Sequence, residues 1–266
     1  MQPYDLVLLH GQPGLGDEWR QVIARLPGQM RAWAPDRPGH GSSRRAGGGL
    51  DVNTSALLAE LDARGIERAV LVGHSYGGGI ALNVAARAPD RVEALILLAS
   101  VGPACLNGWD RLLAAPFAGP ACSLVAWKLT PWLARARLRG PIRRLGADTA
   151  ARRHIHTYVW GYERWDHGPL WRTFLAEQRA LVREAAQFAA LAVRIRVPVL
   201  LMADPKDTMV PFRTAVLLSQ LLPDARLRPV ERAGHHLPMR APAEVAGAIA
   251  GFLESLETPT RAAEQA

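Results

Sequence analysis

The stretch that most constrains this chain is Ala69-Val70-Leu71-Val72-Gly73-His74-Ser75-Tyr76-Gly77-Gly78-Gly79. A short apolar run ends in Gly73-x-Ser75-x-Gly77, and a helix-forming, Ala-rich segment follows at once. A serine at such a junction sits on a sharp strand-to-helix turn with its hydroxyl pushed out of the sheet. The tight turn leaves no room for side chains two residues before and two after it, which is what Gly73 and Gly77 supply. The helix start behind it offers free backbone N–H groups and the positive end of a dipole, both suited to a developing oxyanion. The bland alternative, a chance Gly-x-Ser-x-Gly in a surface loop, fits poorly with the strand before it and the helix after it.

A serine hydroxyl is a weak nucleophile until a base takes its proton, and that base needs an orienting acid. The chain should therefore hold an acid and then a histidine, each just after a later strand. Both are present. Val197–Ala203 reads as a buried strand and runs into Asp204-Pro205-Lys206-Asp207-Thr208-Met209-Val210-Pro211. Ala225–Val230 runs into Glu231-Arg232-Ala233-Gly234-His235-His236. At the N-terminal end, Leu6-Val7-Leu8-Leu9 leads into His10-Gly11-Gln12-Pro13-Gly14.

With these parts the chain resembles the α/β-hydrolase family, in particular its lid-bearing serine hydrolases. The order Ser75, Asp207, His235 is that family's triad order and not that of the chymotrypsin or subtilisin types. The family pattern Asp-x-x-Val-Pro selects Asp207 over Asp204, which is expected to shape the same loop. The family places its base directly after a glycine, which selects His235 over His236. The resemblance also implies an oxyanion hole from the backbone N–H groups of Gln12 and Tyr76. His74 is expected to pack behind the serine, and His10 to orient the oxyanion loop. Asp36-Arg37-Pro38-Gly39-His40-Gly41-Ser42-Ser43 matches a family loop whose role is structural more often than catalytic. The resemblance spans roughly residues 5–103 and 171–255 and is weakest between them.

Alternation of apolar runs and helical spacing gives six strands, near 5–10, 29–34, 68–74, 93–100, 197–203 and 225–231. Helices are expected near 17–26, 51–64, 76–88, 171–190, 211–222 and 241–256. The fold class is therefore α/β, with a parallel sheet covered by helices on both faces. In domain terms, residues 1–103 and 171–257 form the core, 104–170 a helical lid, and 258–266 a flexible tail. Family members carry a two-stranded hairpin before the His-Gly strand, and only Met1–Tyr4 stand there in this sequence. The strand around Met30–Ala34 then becomes a sheet edge. Three outcomes stay open: a homodimer through that edge, an edge shielded by loops and Pro35, or a chain whose true start lies upstream.

The lid segment holds Trp109, Trp127, Trp132, Trp160 and Trp165, five of the eight tryptophans. It also carries ten Lys or Arg against four Asp or Glu. Arg135, Arg137, Arg139, Arg143 and Arg144 are candidates to guide a carboxylated substrate, although a solvated basic face explains them more simply. The net charge of +8 comes almost wholly from arginine, since Lys128 and Lys206 are the only lysines, and no nucleic-acid module accompanies it. His154, His156 and His167 lack an acid or thiolate cluster, so neither a metal nor a cofactor is expected. Cys105 and Cys122 make no disulfide framework. With no apolar run long enough for a bilayer and no basic leader, the expectation is a cytoplasmic protein acting on a small molecule, without membrane or nucleic-acid partners.

The expected reaction is hydrolysis of a small or medium, largely apolar carboxylic ester through an acyl-enzyme. A carbon–carbon bond hydrolase of a dioxo acid, or a cofactor-free perhydrolase or haloperoxidase, would use the same triad. A ligand receptor on a hydrolase scaffold is the non-enzymatic rival. Dehalogenases and epoxide hydrolases need a carboxylate where Ser75 stands. A dinucleotide site fails because Trp19 occupies the place of the third glycine after Gly14-x-Gly16.

Overall fold

The computed structural model describes residues 4–122, 125 and 170–264. Six strands form one parallel sheet: β1 Asp5–Leu9, β2 Arg31–Trp33, β3 Ala69–His74, β4 Val92–Leu98, β5 Val199–Ala203 and β6 Ala225–Pro229. Their spatial order is β2-β1-β3-β4-β5-β6, so the chain reverses direction of travel between β1 and β3. In open α/β sheets a ligand crevice lies outside the carboxyl ends of the strands. The helices are α1 Arg20–Ile23, α2 Leu50–Ala63, α3 Tyr76–Arg87, α4 Gly108–Ala114, α5 Leu170–Glu184, α6 Phe188–Ala192, α7 Phe212–Leu221, α8 Leu237–Arg240 and α9 Pro242–Glu264.

The strands owe their place to a period-two apolar pattern read on both faces. Val7, Leu9, Leu71, Leu95, Leu97 and Leu201 point to the face covered by α2, α3, α6 and α7. Leu6, Leu8, Val70, Val72, Ile96 and Met202 point to the opposite face, under α1 and α9. Every residue of β3 and β5 is buried, as a sheet covered on both sides requires.

The six predicted strands all form with ends shifted by a few residues, and the predicted helices form except that 17–26 is a 3-10 turn over Gly16–Trp19 followed by the short α1. The predicted helix over 171–190 is broken: α5 ends at Glu184, a 3-10 turn spans Ala185–Gln187, and α6 follows. The backbone of α9 is helical to Glu264. As expected, no strand precedes β1 among the described residues, and β2 is a sheet edge. That edge is only three residues long, and the Arg64 guanidinium stacks 3.8 Å over the Trp33 ring beside it.

The helical lid insertion lies between the adjacent strands β4 and β5. Its described helix is α4, which meets α5 of the core through a hydrogen bond from Gln178 Nε2 to Asp110 Oδ1 at 2.9 Å. A reciprocal cap starts α4: Asn107 accepts from the Trp109 and Asp110 backbone, and Asp110 accepts from the Asn107 N–H. Trp127, Trp132, Trp160, Trp165, the five lid arginines from Arg135 to Arg144, and His154, His156 and His167 lie outside the described residues.

Candidate active site

Between β3 and α3 the backbone turns so sharply that Ser75 adopts φ 53° and ψ −118°, a conformation that L side chains rarely take. Three backbone hydrogen bonds hold it there: Ser75 N–H to Leu98 O, Gly78 N–H to Ser75 O, and Val101 N–H to Ser75 O, at 3.0, 3.0 and 3.1 Å. The flanking glycines are sterically required. A Cβ on Gly73 would lie 2.5 Å from the Gly78 Cα, and one on Gly77 would lie 2.2 Å from the Leu9 carbonyl oxygen.

The structure brings Ser75, His235 and Asp207 into one hydrogen-bonded line. His235 Nε2 lies 3.0 Å from Ser75 Oγ, and His235 Nδ1 lies 2.8 Å from Asp207 Oδ2. All three are buried. The carboxylate accepts only, so Nδ1 carries the proton and Nε2 is left to accept from the serine hydroxyl. Burial lowers the His235 imidazole below its ordinary value, Asp207 pulls it back up, and the net effect keeps it neutral. Asp207 is itself fixed by the N–H groups of Met209 and Val210 on its other oxygen, at 2.7 and 3.1 Å.

The alternative candidates occupy other places. Asp204 ties the two loops together, accepting from Lys206 N–H at 2.8 Å and Gly234 N–H at 2.6 Å, and these bonds hold its carboxyl low. His236 stacks edge-on against His235 at 5.4 Å, and burial pushes its imidazole down to about 4. The hydrogen bond to Ser75 comes from His235 alone of the pair.

Gln12 and Tyr76 both line a cavity of about 280 Å³ that opens on Ser75 and His235. Tyr76 is the first residue of α3, so its N–H belongs to the first turn, whose amides lack intrahelical acceptors. The Gln12 side chain donates to the Phe174 carbonyl of α5 at 2.9 Å. Most of the wall is apolar, with Val101, Leu113, Phe174, Leu181 and Val210 contributing, and α4 adds Asp110. Among the described lining residues there is no lysine or arginine.

Against the loop after β1 lies a buried polar network that pattern reading missed. Arg37 donates to the carbonyls of His10 and Gly11, to Asn53, and to both oxygens of Glu177 on α5. Burial alone would raise the Glu177 carboxyl, but Arg37 and His40 outweigh it and hold it below the usual range. His10 Nδ1 donates to the Gly11 carbonyl at 2.9 Å while Nε2 accepts from the Arg37 N–H at 3.0 Å. Its ring can meet both partners only as the neutral form, and burial with the neighbouring Arg37 charge lowers it well below the ordinary histidine value. Glu18, 3% exposed, contacts both Gly11 and His74. Among the described residues no group of three or more His, Cys, Asp or Glu is placed to hold a metal ion, and no helix is long and apolar enough to cross a membrane.

The profile of the alpha/beta hydrolase fold family matches residues 5–242. The chain belongs to the α/β-hydrolase fold family. Among members of this family it is 31% identical over 240 residues to pimeloyl-(acyl-carrier protein) methyl ester esterase of Aromatoleum aromaticum, covering 87% of this chain and 90% of that protein. It is 29% identical over 263 residues to 2-hydroxymuconate semialdehyde hydrolase of Pseudomonas sp. strain CF600, covering 94% and 87%. To two further relatives the match is partial, and the chain spans 27% and 45% of their length. Of solved structures, Cfl2 of Burkholderia cenocepacia superposes with a TM-score of 0.75 at 26% identity, covering 94% of this chain and 87% of that one.

Proposed function

We propose that this α/β hydrolase is a serine hydrolase that cleaves a neutral, largely apolar carboxylic ester through an acyl-enzyme. The observation that carries the reading is His235, which reaches Ser75 with one ring nitrogen and Asp207 with the other, at 3.0 and 2.8 Å. Ser75 at the strand–helix turn is the nucleophile. His235 takes its proton as Oγ attacks the ester carbon, and Asp207 keeps the imidazole in the required tautomer and stabilises the imidazolium. The N–H groups of Gln12 and Tyr76 receive the oxyanion, each worth about 3 kcal/mol in comparable sites. His235 then protonates the departing alkoxide and activates water against the acyl-enzyme, restoring Ser75. No step calls for a cofactor or metal.

The largely apolar described wall supports an apolar substrate, and the 2-hydroxymuconate semialdehyde hydrolase likeness is the precedent for the dioxo-acid alternative. A carboxylated substrate needs a cation near its acid group. The candidate cations, Arg135 to Arg144, lie outside the described residues, and Asp110 of the described wall already caps α4 and accepts from Gln178.

The test is intact-protein mass after exposure to a fluorophosphonate, for wild type and Ser75→Ala side by side. One adduct on wild type and none on the folded variant is expected, followed by turnover of neutral esters in preference to dioxo acids. No adduct on folded wild type would overturn the reading and move a binding role ahead of it.

A further inference from the structure

Behind the site, His74 sits directly before Ser75 and has no solvent contact to speak of. Its Nε2 lies 2.9 Å from the backbone carbonyl oxygen of His235, and its Nδ1 lies 3.2 Å from Glu18 Oε1. A carbonyl oxygen accepts only, and so does a carboxylate. Both ring nitrogens must therefore donate, which a neutral imidazole cannot do. His10, one strand away, has the opposite partners, one acceptor and one donor, and is confined to its neutral form.

We propose that Glu18 and His74 form a buried ion pair that positions the reacting groups, joining the oxyanion loop to the loop that carries the base. The same Glu18 oxygen that faces His74 also accepts the Gly11 N–H at 3.2 Å, one residue before Gln12. His74 at the other end grips the carbonyl of His235 itself. The order of contacts is thus Gly11, Glu18, His74, His235, and Ser75 is covalently joined to the third member. Loss of the shared proton frees one end of this bridge. The inference rests on the serine-hydrolase reading for its catalytic meaning, but the protonation state it asserts does not.

The groups that face the His74 ring are Glu18 from the 3-10 turn Gly16–Trp19, His235 and His236 from the loop after β6, Asp207 from the loop after β5, and His10 from the end of β1. Burial pulls His74 down, but Glu18, the His235 carbonyl and Asp207 together hold it above its ordinary value. The cation in turn lowers the neighbouring His235, which favours the neutral base.

Two measurements test the pair. The first is nitrogen NMR of histidine-labelled wild type between about pH 6 and pH 8. The His74 signals, assigned by their displacement in Glu18→Gln, are expected to be those of an imidazolium throughout, and the His10 signals those of a neutral ring. A neutral His74 near pH 7 overturns the proposal whatever reaction the enzyme performs.

The second is the rate of fluorophosphonate labelling of Ser75 against pH. In Glu18→Gln the rate is expected to fall about ten- to a hundredfold, as misplaced reacting groups do. It is also expected to decline further as pH rises, because a His74 without its counter-charge loses its second proton. Glu18→Asp keeps the charge and should restore a flat alkaline limb. A Glu18→Gln variant that is merely less stable, with a labelling profile parallel to wild type, would reduce the pair to a packing role and sink the idea. Failure of wild type to label at all would instead speak against Ser75 as nucleophile, and the NMR result would still decide the ion pair.

Discussion

Arg37 and Glu177 meet as a two-pronged ion pair in the interior, 140 residues apart in sequence and with side chains 2% and 0% exposed. Arg37 stands in the loop after β2 and Glu177 in the middle of α5, whose Phe174, Gln178 and Leu181 line the cavity. The same guanidinium donates to the Gly11 carbonyl at 2.8 Å and to the His10 carbonyl at 3.1 Å. The loop after β1 is therefore tied through Arg37 to the helix that lines the cavity. A second tie, from the Gln12 side chain to the Phe174 carbonyl, runs between the same two segments.

Breaking that pair from one side leaves a buried charge without compensation. Glu177→Gln is expected to cost about 3–5 kcal/mol, measured by urea unfolding. The carboxyl is held below its ordinary value in the folded protein, so its contribution is present above the unfolded value, near 4.5, and is lost as pH falls through the folded one. The stability difference between wild type and Glu177→Gln should accordingly shrink in acid. A difference that stayed constant with pH would mean that the charge of Glu177 is not what stabilises the fold.

If turnover runs through the proposed serine-hydrolase mechanism, its pH dependence follows from His235. Only the neutral imidazole can accept the Ser75 proton, and burial lowers its pKa below the ordinary 6.5. Activity is therefore retained as pH drops past 6.5 and falls only through the lower, folded-state value. A plot of kcat/KM against pH for a neutral ester should show its acidic midpoint below that of a free imidazole. A midpoint above 6.5 would contradict the neutral, buried base.

The fold was legible in this sequence because its signals are local. Strands β1, β3, β4 and β5 are short, mostly apolar runs, and Gln12, Ser75 and Asp207 stand a few residues past three of them, while His235 follows the half-exposed β6. Ser75 is marked further by Gly73 and Gly77, whose absence of side chains the turn demands. The polar network was not legible. Nothing around Arg37 predicts a partner on α5, and Glu18 reads as a solvated acid until the fold places it against Gly11 and His74. The Asn107–Asp110 cap of α4 did carry a signal, an Asn followed three residues later by Asp, but no apolar periodicity led up to it. Local pattern specifies which element forms; it does not specify which distant charge will be buried beside it.

Acid should also unfold the protein through its histidines. His10, His40 and His236 are each lowered by burial first, and so bind protons less readily folded than unfolded. As pH falls below 6.5 the unfolded chain takes up protons that the folded chain refuses, and stability drops by about 1.4 kcal/mol per pH unit for each such proton. His74 has the opposite sign: its contribution is present below its unfolded value and is lost as pH rises through its raised folded one. Since the lowered groups outnumber it, denaturation midpoints are expected to fall between about pH 6.5 and pH 5. Midpoints that rose over that range would mean that the buried rings are protonated in the folded state.

The glycines separate into those the site requires and those the fold tolerates. A Cβ at Gly77 would lie 2.2 Å from the Leu9 carbonyl oxygen, and that atom belongs to the backbone of β1, which has no rotamer to escape into. Gly77→Ala must therefore push α3 away from β1, at a cost of about 1–3 kcal/mol, and the Ser75 turn moves with it. Gly247 and Gly251 are exposed on the turns of α9, and a Cβ at either meets nothing within 4 Å. There alanine gains helix propensity without any clash, so Gly247→Ala and Gly251→Ala are each expected to stabilise by about 0.5–1 kcal/mol. Thermal unfolding of the three variants, with fluorophosphonate labelling of each, checks both halves. Gly77→Ala should lose stability and labelling together, while the α9 variants gain the first and keep the second. Full labelling of a stable Gly77→Ala protein would show that the turn at Ser75 is not held by the close approach of α3 to β1.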